Sequence, residues 1–163
     1  MRRAARSLLL PVAFALVVAT GCASGTPAPT GSAAPGTVTS PAGGASPQDV
    51  VRAYLAALNA HDVATATRLL TAEHAHLVAS EVDSWFTNVR SITAVEVGYS
   101  VPESGAGSGS LGAGYAHVVR VGATFNLHQK DASSMQNGRT DWGYLLVRNA
   151  DTQPWLIADE GMP

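Results

Sequence analysis

Residues 46–163 are predicted to fold as an α+β domain with an antiparallel sheet. Two observations predict this class. Apolar residues recur with a helical period up to about Arg90 and alternate with period 2 beyond it. Helices therefore come first and strands after, the order of an α+β fold and not of alternating βαβ units. A third observation sets the domain count: 163 residues with 46% hydrophobic content suit one domain with one core. Charge and cysteine usage exclude other classes. Ten basic and 12 acidic residues give a net charge of −2, so electrostatic capture of nucleic acid is not expected. A single cysteine forms no intramolecular disulfide. No apolar run reaches the roughly 20 residues of a membrane-spanning helix.

The N-terminus reads as an export signal, not as structure. Arg2, Arg3 and Arg6 precede the apolar stretch Leu8 to Ala19, which meets the small residues Thr20 and Gly21 and then Cys22. Ala19-Thr20-Gly21-Cys22 resembles a bacterial lipoprotein lipobox, in which the cysteine sulfur receives a diacylglyceryl group and becomes the new N-terminus. Leucine is commoner in such motifs where Ala19 stands. Two acyl chains on Cys22 would anchor the chain to the extracytoplasmic face of the cell membrane. Losing the three arginines leaves a more acidic chain with no electrostatic reason to lie on an anionic bilayer, so the lipid is the tether. Both general secretory and twin-arginine export remain open, although Ala4-Ala5 fits the second poorly. From Cys22 to Ala45 the chain is almost entirely Ala, Gly, Pro, Ser and Thr without charge, which predicts a disordered spacer.

Three helices follow. Ser46-Pro47-Gln48-Asp49 has a capping serine, a first-turn proline and an acid three residues after the cap. Val51, Tyr54, Leu55 and Leu58 then form one stripe. Asn59-Ala60-His61 ends this helix and Asp62 caps a second, in which Val63, Ala66, Thr67 and Leu70 continue the pattern. Thr71 opens a third, expected to place Val78, Val82, Trp85 and Phe86 on one face. The strands begin after Arg90, where Thr93, Val95, Val97, Tyr99 and Val101 alternate with Ala94, Glu96, Gly98 and Ser100. Ser104 to Gly114 is a loop. In the next strand Val119, Val121, Ala123, Phe125 and Leu127 oppose Arg120, Thr124, Asn126 and His128. Asn137-Gly138 leads to Asp141–Arg148, a strand apolar on both faces. A turn over Asp151–Pro154 precedes a last strand, Trp155–Asp159.

The run from Val50 to Asp62 (VVRAYLAALNAHD) and the ending Pro154 to Gly161 (PWLIADEG) resemble the nuclear transport factor 2-like superfamily, over about residues 47–161. That resemblance implies a cone: a strongly curved antiparallel sheet wrapped around a long first helix, closed on one side by two more. Domains of this kind are common in actinobacterial lipoproteins, and the single lysine, Lys130, beside abundant Ala and Arg suits a GC-rich genome. The cone hosts isomerases, dehydratases, cyclases and non-catalytic binders alike, so the fold does not name the activity.

The resemblance directs attention to the concave side of the sheet. Strict alternation places His117 with Val119 and Val121, and Asp159 with Trp155 and Ile157. Tyr54 and Trp85 would be walls of the same space, and Asp141 is a further candidate. A buried carboxylate beside a histidine can serve as a general base. Each residue also has a plainer explanation. His117 could sit at the rim, Asp159 near the C-terminus could be exposed, Tyr54 and Trp85 could be core, and Asp141 could pair with Arg139, Arg148 or solvent. None matches the superfamily's catalytic sets residue by residue. His74 and His76, two apart on a helix, point about 200° apart and cannot chelate one ion, so no metal is expected, nor any cofactor. The glycine-rich run Ser104–Gly109 lies between strands and lacks the helix N-terminus that cradles phosphate.

These readings favour a lipid-anchored, non-catalytic module that binds a small apolar ligand or an envelope protein. The alternative is a secreted isomerase, dehydratase or cyclase using His117 with a carboxylate. A homodimer is a further expectation, formed through the outer sheet face where Leu145 and Val147 lie opposite Trp142 and Tyr144.

Overall fold

The computed structural model describes residues 38–81, 84–103, 112–133 and 135–162. The expected export signal, Cys22, the spacer as far as residue 37, Val82, and residues 104–111 of the loop lie outside the described residues. Among the described residues no helix is long and apolar enough to cross a membrane.

Helix starts follow the local chemistry. The Ser46 hydroxyl accepts from the Asp49 N–H at 3.2 Å, and the Asp49 carboxylate accepts from the Ser46 N–H at 3.4 Å, which opens α1 (Pro47–Asn59). Val50, Val51, Tyr54, Leu55, Ala57 and Leu58 form its buried stripe. The chain then turns through His61, whose φ of 57° lies in the left-handed region. Asp62 caps α2 (Val63–Arg68) by accepting from the Thr65 N–H at 3.0 Å. This helix has only six residues, and it buries Thr65 and Ala66, followed by Leu69 and Leu70. Val63 and Thr67, expected on the buried stripe, face solvent. Val38 N–H also donates to Asp62, at 3.3 Å, and Val38 packs against the core. The last residues of the expected spacer therefore run along the domain.

The single third helix does not form. Thr71 caps α3 (Ala72–Ser80), but Glu81 is extended at φ −75°, ψ 137°, and Ser84 caps a separate one-turn α4 (Trp85–Asn88). Ser80 bonds back to the Leu77 carbonyl and Ser84 accepts from the Phe86 N–H, the local competition by serine that interrupts helices. Val78 and the pair Trp85–Phe86 thus belong to different helices.

Strands β1 (Val89–Pro102), β2 (His117–Gln129), β3 (Gly138–Arg148) and β4 (Leu156–Gly161) form one antiparallel sheet in chain order. β2 keeps its alternation, burying Val121, Ala123, Phe125 and Leu127. β1 does not. Its register against β2 shifts between Val89 and Ser91, between Thr93 and Glu96, and between Val97 and Ser100. Each inserted residue resets the period of 2, and Ala94, within the second shift, has φ 52°. Val95, Tyr99 and Val101, expected on a half-buried face, are therefore exposed, while Val89 and Ile92 are buried. β3 is apolar on both faces as expected. Leu145 and Val147, on the face expected to be an exposed apolar patch, are buried; Leu145 is in register with Arg120 and Asp159, and Val147 with Val118 and Leu156. The core lies between α1 and the sheet, around Tyr54, Leu55, Phe125, Leu127, Tyr144, Leu146 and Ile157.

Candidate ligand cavity

The site is built where the joint between α2 and α3 docks on β4. Thr71 N–H donates to the Ile157 carbonyl at 2.8 Å, and Ile157 N–H donates to the Leu69 carbonyl at 2.9 Å, forming a parallel bridge between Leu70 and Ile157. Three residues further along each chain stand His74 and Glu160, and their side chains meet, with His74 Nε2 3.5 Å from Glu160 Oε1. Thr71 serves twice, because its hydroxyl also accepts from the His74 N–H at 3.3 Å and so directs the first turn of α3.

Two tyrosines complete the cluster. The Tyr54 hydroxyl, on α1, donates to Glu160 Oε1 at 2.8 Å. Tyr144 pairs with Glu160 across β3 and β4, and its ring meets Tyr54 edge-on with centroids 6.1 Å apart. Burial, then the Glu160 charge, holds both hydroxyls well above the ordinary tyrosine pKa; Glu81 adds a smaller push on Tyr54. Both remain neutral donors at any physiological pH.

Beside this cluster lies a cavity of about 630 Å³. His74, Glu160, Gln129 and Met135 line it together with Trp85 and Trp142, whose rings are 5.3 Å apart and tilted by 50°. The exposed Leu77 and Met162 also border it. Four buried polar atoms of the region, His74 Nε2, Glu160 Oε2, Tyr144 Oη and Trp142 Nε1, have no hydrogen-bond partner among the described residues. An unsatisfied buried group costs about 1–3 kcal/mol, and these four lie together at one end of the core.

The residues expected from sequence are distributed unevenly around this cavity. Tyr54 sits in the core and reaches the cluster through its hydroxyl, and Trp85 is a cavity wall. Asp159 does not share a face with Ile157. A bulge at Ala158, opposite the step from Leu145 to Leu146, moves Asp159 into register with Leu145 on the other face and brings Glu160 round to the core side beside Tyr144. Asp159 still borders the cavity, but the enclosed carboxylate is Glu160. His117 lies elsewhere, at the start of β2, 3.9 Å from the exposed Asp151 and edge-on to Trp155. Asp141 accepts from the Thr124 hydroxyl at 2.5 Å on the exposed face, not from Arg139 or Arg148. Arg148 instead pairs with Asp151 and stacks on Trp155. His74, Glu160, Tyr144 and Trp142 were not singled out from sequence for this role. His74 was legible only as half of a histidine pair, and α3 indeed buries His74 and exposes His76.

Comparison with curated proteins and with solved structures gives no match. Over residues 48–161, a span that holds His74, Glu160 and both cavity tryptophans, the chain matches the family described as a domain of unknown function (DUF4829), and it belongs to that family.

Proposed function

We propose that this chain is a lipid-anchored extracytoplasmic lipoprotein, tethered through Cys22, whose nuclear transport factor 2-like domain binds a small, largely apolar ligand without transforming it. One observation carries the ligand reading: a cavity of about 630 Å³ with aromatic walls and unpartnered polar atoms around it. Ligand sites commonly have this size and this balance of apolar walls with a few polar groups. The bulges of β1 and β4 support a strongly curved, cone-like sheet, since each one bends its strand. The tether rests on the arginines, apolar core and lipobox-like ending of residues 1–22.

Native mass spectrometry of the full chain extracted from its membrane tests both halves. The expected result is a diacylglyceryl mass on Cys22 and a small molecule that leaves on denaturation. An unlipidated chain retained at the membrane after Cys22→Ser overturns the tether. Absence of any co-purifying molecule, together with no saturable change in tryptophan emission on titration with small aromatic probes, overturns the ligand reading.

The close approach of His74 to Glu160 favours a second reading, an isomerase- or dehydratase-type enzyme. In it the acid–base pair is His74 with Glu160, because His117 does not line the cavity. That reading requires a compound that the chain converts, with His74→Ala abolishing conversion while binding persists.

A further inference from the structure

We propose that the ligand of this cavity is an organic ammonium compound, a protonated amine joined to an apolar body of aromatic width. The proposal rests on the reading of the cavity as a ligand site. Its first ground is charge. Glu81, Asp159 and Glu160 border the cavity, and no lysine or arginine does among the described residues. An anionic ligand would bring a fourth negative charge into a space that holds no fixed cation.

The second ground is the state of Glu160. Its side chain is only 5% exposed, Oε1 accepts a hydrogen bond from the Tyr54 hydroxyl, and Oε2 has no partner among the described residues. A desolvated carboxylate is costly, and a cation in the adjoining space relieves that cost through its charge better than a neutral hydroxyl does. His74 is the competing positive group, yet its Nε2 makes no hydrogen bond to the carboxylate, so the pair is not closed. The third ground is the wall chemistry. Trp85 and Trp142 form a tilted aromatic corner against which an ammonium group or its first methylenes can rest, and Val78 and Met135 extend the apolar surface.

The test uses three probes with one body and different charge: 1-naphthylmethylamine, 1-naphthalenemethanol and 1-naphthoate, titrated into the full chain by calorimetry. The expected order is amine, then alcohol, then carboxylate, with the amine about tenfold tighter than the alcohol. Glu160→Gln should remove most of that preference while leaving alcohol binding in place. Glu81→Gln, at an exposed position that cannot threaten the fold, should reduce the preference by a smaller factor. Alcohol or carboxylate binding as tightly as the amine overturns the proposal and leaves the cavity as a ligand site. An amine preference that survives both substitutions also overturns it. Failure of all three probes to bind overturns the ligand site itself, and the proposal with it.

Discussion

Two histidine–carboxylate pairs in this molecule have nearly the same geometry and opposite surroundings. His74 and Glu160 approach to 3.5 Å with side chains 8% and 5% exposed; His117 and Asp151 approach to 3.9 Å with side chains 44% and 80% exposed. In the exposed pair, water solvates both partners and screens their attraction, so little stability depends on it. In the enclosed pair, each partner removed leaves the other stranded. The distance between two groups thus says little about what they do. What matters is what else surrounds them: two tyrosines and two tryptophans in one case, a solvated turn in the other.

The sharpest way to break this contrast is to delete each carboxylate. Glu160→Ala leaves the buried Tyr54 hydroxyl without its acceptor and removes the carboxylate beside His74, and should cost about 3 kcal/mol in urea unfolding. Asp151→Ala should stay within about 0.5 kcal/mol. Equal losses would abolish the distinction. Tyr54→Phe removes one hydrogen bond to the charged carboxylate and should cost about 2 kcal/mol by the same measurement. Thr71→Ala removes a helix cap next to the β4 bridge and should cost about 1 kcal/mol, with faster amide exchange in the first turn of α3. Alkaline titration sharpens the contrast from another side. The folded pKa values of Tyr54 and Tyr144 lie above the unfolded value of about 10, so the stability these groups contribute is complete below pH 10 and is lost as pH rises beyond it. Two of the four tyrosines should therefore ionise only as the chain unfolds, seen as a late step in tyrosinate absorbance. Early ionisation of all four would mean that the cluster is wet. The smallest effect belongs to His117→Ala, about 0.5 kcal/mol or less and without influence on any cavity ligand.

How much was legible in advance depended on the range of the interactions. Ser46, Asp62 and Thr71 were readable as helix starts, and each is a cap in the structure, because capping involves a side chain and a backbone N–H three residues away. The β2 face was readable because its alternation continues undisturbed. The β1 face was not. Its three register shifts depend on how β1 meets β2, and nothing in the run from Val89 to Val101 announces them. The carboxylate of the site was missed by one position for the same reason. Counting alternate residues from Ile157 arrives at Asp159, but the bulge at Ala158 makes Glu160 the residue that faces Tyr54.

The local chain thus dictated the helix starts, the change of period near residue 90, the α+β order and a core that includes Tyr54. Pairing between distant segments alone chose which acid is enclosed and which histidine meets it. A strand presents its side chains with period 2, so one inserted residue exchanges its faces. Whether a residue is inserted is decided by the strand alongside. Likewise, His74 meets Glu160 only because Ile157, far along the chain, accepts from the Thr71 N–H and donates to the Leu69 carbonyl, bonds that no local pattern records.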